Sequence, residues 1–446
     1  MPDLTYREAL AALQDRGRFG VRLGLGRTRR MLRELGDPQR SLRGALVGGT
    51  NGKGSVLALA AAALRAEGYR VGETPKPHLV TYRERLQVDG HPIDADSFAR
   101  VVSRVLPVAD RVSRRLGDPT EFEVLTAVVF EWFAEVAPDV ALVEVGLGGR
   151  LDATHAWDGG VAAITNVDLD HMDRLGATIP AIAREKAPII ERGDRAVTGA
   201  TGEALAIIRR RAHRLGVPLA EVAPPPVLGW DRDSITVDLP RLGATRVGLR
   251  GRHQAANVAV AEGVLDALEA AGIASVGPEA RRAGYASARW PGRLELIETA
   301  GLDGPRDVLL DGAHNPAGAA VLARALDDLA PFLRPPVRPA ALVTATMADK
   351  DVAGIAAALA RAGVLAGARI ICTELGLPRA LPAADLAAAW RTALPESRPI
   401  VERDAVVALR RALSEAGGPV VVAGSLYLVG EIRRELVDDP VLRDPE

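Results

Sequence analysis

Residues 140–145 and 161–167 are almost wholly apolar. A strand with one face in water alternates polar and apolar side chains. Unbroken runs of this kind fit strands buried on both faces, which occur mainly in parallel sheets covered by helices on either side. The surrounding sequence supplies those helices: 53–67 closed by Gly68, 95–116, 121–136, 178–187 stopped by Pro188, and 255–271. Strands are expected at 43–48 and from Val71 into the Pro-rich segment 74–78. Residues 5–35 read as helix interrupted by Gly17, Gly20, Gly24 and Gly26, and 217–252 as short strands and turns. A hinge-like run, Arg289-Trp290-Pro291-Gly292-Arg293, precedes a second series of strands (308–310, 341–345, 369–372, 400–401, 419–423) alternating with helices. This alternation predicts an α/β fold. With 446 residues there is chain for two or three domains, and the expected division is 1–290 and 291–446.

A net charge of -1 argues against a nucleic-acid partner, which needs a basic surface. The single Cys372 rules out an internal disulfide and reads as a buried structural thiol. The N-terminus lacks a basic stretch followed by an apolar one, and there is no apolar run of about 18 residues. A cytoplasmic monomer acting on small molecules is expected. One compositional bias singles out residues. Of 56 basic side chains only Lys53, Lys76, Lys186 and Lys350 are lysines, and the only asparagines are Asn51, Asn166, Asn257 and Asn315. In a chain that otherwise chooses arginine, a remaining lysine marks a place where its own chemistry is needed.

The strongest local signal is Val47-Gly48-Gly49-Thr50-Asn51-Gly52-Lys53-Gly54-Ser55 between a strand and a helix. Loop amides and the helix N-terminus there make an anion site for phosphates. Lys53 supplies a charge for the terminal phosphates and Ser55 a hydroxyl for a magnesium ion, although the spacing departs from G-x-x-x-x-G-K-[ST]. Glu144 ends an apolar strand before Gly146-Leu147-Gly148-Gly149-Arg150-Leu151-Asp152. Ligands of such sheets gather at strand carboxyl ends, so Glu144 either meets a cation or pairs with an arginine at the rim. His171, in Asp168-Leu169-Asp170-His171-Met172-Asp173, is a candidate metal ligand or phosphate partner, or a solvated loop residue. Lys186 shares a helix face with Ile179, Ile182 and Ala183; the plain alternative is a lysine reaching out from the helix end. Asp311-Gly312-Ala313-His314-Asn315-Pro316 is a polar turn after a strand of the second half, Arg293 lies near it at the hinge, and the turn at Met347–Asp351 is either similar or a helix cap at Asp349.

Taken together these stretches resemble the folylpolyglutamate synthase and dihydrofolate synthase family of the Mur-ligase superfamily. The similar segments are Gly49 to Ser55, Pro77-His78-Leu79 with Glu84-Arg85, Glu144 to Thr154, Asp170-His171-Met172, Glu185-Lys186, Gly251 to Asn257, Trp290 to Arg293, Asp311 to Pro316 and Gly424 to Gly430. They span nearly the whole chain. The resemblance implies a P-loop ATP-binding domain with a mainly parallel sheet, a smaller C-terminal Rossmann-like domain, and a cleft between them. It implies ATP-dependent ligation of glutamate to a folate or dihydropteroate carboxylate, with ATP and Mg2+ as cofactors. By position, Asn51, Gly52, Lys53, Gly54, Ser55, Asn257, Arg293 and Asp311 would hold ATP, and His314 would lie near its terminal phosphate. Ser55, Glu144, His171 and a carbamylated Lys186 would hold magnesium, while Leu25, Gly26, Arg27, Leu151, Asp152 and Ala153 would meet the pterin.

Three positions depart from the family pattern. Lys76 replaces a serine expected to bind magnesium, His155 an asparagine, and Pro188 a glycine. Lys76 is expected to contact a phosphate or Glu144 directly, unless it faces solvent and Thr74 or Thr81 supplies the hydroxyl. Two rivals fit less well. A peptidoglycan-precursor Mur ligase would need more chain before residue 48, and a non-catalytic nucleotide-binding regulator has no use for Glu144, His171 or the turn at Asp311–Asn315.

Overall fold

The computed structural model describes residues 4–20, 22–301, 304–335 and 340–445. In the first half, eight strands form one sheet: β1 Gly44–Gly48, β2 Val71–Thr74, β3 Gln87–Val88, β4 His91–Pro92, β5 Val140–Glu144, β6 Gly160–Ile164, β7 Arg195–Thr198 and β8 Leu219–Glu221. Their order is β4-β3-β2-β5-β1-β6-β7-β8, parallel apart from the β2–β3–β4 edge. A meander of β9 Val227–Trp230, β10 Ile235–Leu239 and β11 Gly243–Val247 follows.

The apolar runs behave as two-faced strands. Alternate residues of one strand enter opposite cores, as the period of two requires. Ala45, Val47, Val140, Leu142, Val161 and Ala163 face the core built with helices Lys53–Glu67 and Gln254–Ala270. Leu46, Ala141, Val143, Ala162 and Ile164 face the other, built with helices Ala95–Leu116 and Glu121–Val136. The run at 161–167 leaves the sheet after Ile164 and continues as loop.

The second half repeats this logic on six strands, β12 Glu295–Gly301, β13 Gly304–Asp311, β14 Ala341–Thr344, β15 Arg369–Cys372, β16 Ile400–Val401 and β17 Val420–Ala423. The order is β12-β13-β17-β14-β15-β16, with only β12 antiparallel. Leu309, Leu342 and Val421 point to one core, while Val308, Val343 and Val422 point to the other. Sequence reading did not find β12, whose Glu295, Glu298 and Thr299 break the apolar pattern, nor helices Gly202–Leu215 and Pro278–Ser287. The helix after β14 is capped by Asp351, whose Oδ1 accepts from Gly354 N at 2.9 Å, and not by Asp349. Cys372 is buried and free. Among the described residues no helix is long and apolar enough to cross a membrane.

Side chains beside the meander tie the two halves together. Arg232 beside the meander forms a two-pronged pair with the fully buried Asp307 of β13 at 2.5 and 2.6 Å. Trp230 Nε1 donates to Asp328 O at 3.0 Å, and Arg250 to Leu294 O at 3.2 Å.

Candidate active site

The carboxyl ends of β1, β5 and β6 open on one edge, because Val47 is in register with both Glu144 and Ala163. The loop between β1 and helix Lys53–Glu67 lies there, and its shape is fixed by tertiary contacts. Thr165 Oγ1 donates to Asn51 O at 2.6 Å, and Asn51 N donates to Asn166 Oδ1 at 2.9 Å. Gly52 caps the helix at φ +81, where a Cβ would also come within 2.2 Å of Asn257 Oδ1. Only glycine meets both demands. The first amides of the helix therefore stay free for an anion.

This loop forms one wall of a cavity of about 690 Å3 between the halves. Asn51, Gly52, Lys53, Gly54 and Ser55 line it with Glu144, Lys76, Asp170, His171, Lys186 and Asn257. Arg293, Asp311, His314 and Asn315 line it from the second half. Every residue expected to hold nucleotide or metal thus reaches one space, although Asn257 and His314 are 57 residues apart in sequence.

Charge dominates the site. Glu144 is buried, which pushes its carboxyl above the usual range; Lys53, with Nζ 3.9 Å from Oε1, and Lys76 oppose that push. Lys53 Nζ also donates to Thr50 O at 3.0 Å. Asp311 is likewise raised by burial against the pull of Arg293, and it accepts from Leu294 N and Ala313 N, both at 2.9 Å. Burial lowers Lys186 to about 7, with Lys53 adding repulsion, and its Nζ donates to Gly49 O at 2.8 Å. Ile182, Ala183 and Lys186 are the buried face of their helix, as the spacing requires.

His314 is lowered to about 4 by burial, so its ring is neutral at pH 7. Nδ1 lies 2.8 Å from Gly312 O. A carbonyl only accepts, so Nδ1 carries the proton and Nε2 is left as an acceptor. Asp170 bridges the cleft, taking Asn315 Nδ2 at 3.1 Å and Lys350 Nζ at 3.4 Å. Burial opposes its ionisation, but His171 and Lys350 hold it at about 2. His171 itself is exposed, with positive φ.

Leu25, Gly26, Arg27, Leu151, Asp152 and Ala153 do not line this cavity. Gly26 is exposed, while Asp152 and Ala153 are buried. Arg27 is paired with Glu123 at 2.9 Å, and Asp152 Oδ2 accepts from Leu147 N at 2.7 Å. Phe122, Leu147 and Arg85 line the wall instead. Lys76 reaches Glu144 through main chain: its Nζ donates to Glu144 O at 2.5 Å, and its N–H donates to Glu144 Oε2 at 2.8 Å. Thr81 Oγ1 is occupied by Tyr6 and Asp444, while Thr74 Oγ1 is buried and without a partner. His155 is held by Arg150 O at 3.1 Å and Glu191 at 3.0 Å, a structural role. Asn166 and Lys350 were missed as site residues. Their rarity in the sequence was the available signal.

A strand–loop–helix facing arginine, carboxylate and imidazole across a cleft between two α/β halves is the arrangement a nucleotide-dependent ligase requires. The Mur ligase, glutamate ligase domain family matches residues 292–426. The chain is 33% identical over 441 residues to a dihydrofolate synthase/folylpolyglutamate synthase of Bacillus subtilis, covering 97% of this chain and 99% of that one. The Mycobacterium tuberculosis folylpolyglutamate synthase structure, complexed with ADP and AMPPCP, is similar at TM-score 0.86 and 31% identity, over 98% of this chain and 100% of that one. A bifunctional folylpolyglutamate synthase/dihydrofolate synthase with Mn, AMPPNP and L-glutamate bound is similar at TM-score 0.80 and 30% identity, over 97% and 98%. The chain belongs to the dihydrofolate synthase/folylpolyglutamate synthase family, and it is an ATP-dependent ligase.

Proposed function

We propose that this enzyme joins L-glutamate to the carboxylate of a folate or dihydropteroate, consuming ATP and releasing ADP and phosphate. The observation that carries this reading is the meeting of the phosphate loop with Arg293, Asp311 and His314 in one cleft. The ligands bound to the two similar structures support it. We assign residues 1–290 to the ATP-binding domain and 291–446 to the glutamate-ligase domain, working as a monomer in the cytoplasm.

A carboxylate does not react with an amine unaided. Its oxygen would attack the terminal phosphorus of ATP, expelling ADP and leaving an acyl phosphate. The glutamate nitrogen would then attack the acyl carbon, and phosphate would depart. Both opening reactants are anions, so Lys53, Arg293 and the loop amides must screen them. His314 Nε2 is an acceptor for the incoming amine, and Asn315 and Lys350, both bonded to Asp170, close the cleft against water that would destroy the acyl phosphate.

A divalent ion fits here. Ser55, Glu144 and His171 offer a hydroxyl, a carboxylate and an imidazole, and among the described residues no group of three His, Cys, Asp or Glu forms a dedicated cage. That suits Mg2+, which keeps waters and phosphate oxygens. When bound it would neutralise phosphate charge. We further propose that Lys186, whose amine is unusually free of its proton, adds to carbon dioxide through Nζ, loses a proton and becomes a carbamate facing that ion.

The deciding assay measures nucleotide products with dihydropteroate or tetrahydrofolate. ADP and phosphate should appear only when both acceptor and glutamate are present. AMP as the product, or turnover indifferent to the acceptor, would sink the proposal.

A further inference from the structure

The surroundings of Glu144 hold more positive charge than one phosphate loop needs. Its Oε2 accepts the main-chain N–H of Lys76 at 2.8 Å, and Lys53 Nζ stands 3.9 Å from Oε1. The Lys76 ammonium sits on the Glu144 carbonyl at 2.5 Å, and it is 5.2 Å from the centre of the Phe122 ring. Lys53 through its ammonium and Lys76 through its main-chain N–H therefore attend a single buried carboxylate, with the Lys76 ammonium on the carbonyl of the same residue. Lys76 is not an exposed side chain reaching for water. It is partly buried, lines the cavity, and has a carbonyl and an aromatic face as its immediate partners.

We propose that Lys76 is a fixed monovalent counter-ion of the phosphate site, and that this enzyme consequently takes up a single divalent cation with its nucleotide. The argument is electrostatic and rests on the donor chemistry of the ammonium. An ammonium has three donors and no lone pair, so it cannot ligate a metal. Its charge repels a second divalent ion approaching Glu144 from the Lys76 side, and the repulsion is strong where water is scarce. One ion at Ser55 and the phosphates is compatible with this arrangement. A second ion on the Lys76 side of Glu144 is not. The amine delivers the missing charge without exchange, so its contribution does not vary with metal concentration.

The inference rests only on the nucleotide-binding part of the proposed function, and its test omits both acceptor and glutamate. Wild-type protein saturated with AMPPNP is titrated with Mn2+, and free Mn2+ is followed by electron paramagnetic resonance. One tightly bound ion per nucleotide is expected for the wild type and for Lys76→Arg, which keeps the charge. Two are expected for Lys76→Ser, which removes the charge and offers a hydroxyl. Lys76→Met, with neither charge nor ligand, should stay at one ion, while its affinity for metal-free ADP in excess chelator falls about tenfold. Two ions in the wild type overturn the proposal even if every variant misfolds. A count of one in folded Lys76→Ser overturns it as well. Failure of the wild type to bind AMPPNP would overturn this inference and the nucleotide site together, whereas absent glutamate ligation with a count of one would overturn only the substrate reading.

Discussion

At the scale of single residues, the site works by placing a few charges on buried or partly buried side chains. Lys53 is one of these, fixed by Thr50 O and near Glu144. Its replacement by alanine should cost about 2.7–4 kcal/mol of transition-state stabilisation, roughly 10²–10³ in kcat, comparable to losing one oxyanion donor. Steady-state ADP release checks this. Lys186 gives a prediction with a sign. Its amine titrates near 7 in the folded protein instead of 10.5. The unfolded chain therefore binds more protons between those values, and stability should rise with pH from about 7 upwards. Lys186→Met should flatten that rise in denaturant titrations at successive pH values. At constant dissolved carbon dioxide, the same loss of proton should make a Lys186 carbamate signal in carbon-13 spectra grow as pH rises through about 7. A bare amine in active protein would dispose of the carbamate.

Elements set these residues in place, and their ends matter as much as their interiors. Helix Glu121–Val136 begins at a capping box in which Thr120 Oγ1 accepts from Glu123 N at 3.3 Å and Glu123 Oε2 accepts from Thr120 N at 2.8 Å. The same Glu123 carboxylate holds Arg27, so the cap also anchors helix Gly26–Glu34. Thr120→Ala should lower stability by about 1 kcal/mol. Thr120→Ser should recover most of that loss in urea unfolding. The wall residue Phe122 lies in the first turn of this helix, so a frayed cap should also weaken acceptor binding more than nucleotide binding. Thr120 illustrates what local pattern can supply: threonine followed three residues later by glutamate announces a helix start. It cannot announce that the glutamate will bind an arginine 96 residues away.

For the molecule as a whole, a cleft is useful only if its walls hold their relation. The Arg232–Asp307 pair ties the second half to the first. Removing Arg232 strands a buried carboxylate that, among the described residues, keeps the Arg334 N–H at 2.7 Å as its remaining partner. Arg232→Met should therefore destabilise by about 3–5 kcal/mol, measured as a lowered urea midpoint, and Asp307→Asn in the same chain should recover part of it. Fold class, the order of most elements apart from β12 and the helices at 202–215 and 278–287, and the loop at Gly49–Ser55 were already legible in the sequence, because burial on both strand faces, helix periodicity and the chemistry of a glycine-rich turn are local properties of the chain. Its compositional bias went further: all four asparagines and three of the four lysines line the same cavity, and Lys350, the fourth, binds Asp170 in its wall. Tertiary structure alone decided the rest. It paired Arg27 with Glu123 and Asp152 with the Leu147 N–H, gave Phe122 and Leu147 the wall, and set the Lys76 ammonium on the Glu144 carbonyl. The physical reason is that a side chain's partner is chosen by packing between elements distant in sequence, and the free energy of that choice is not written in the neighbours along the chain.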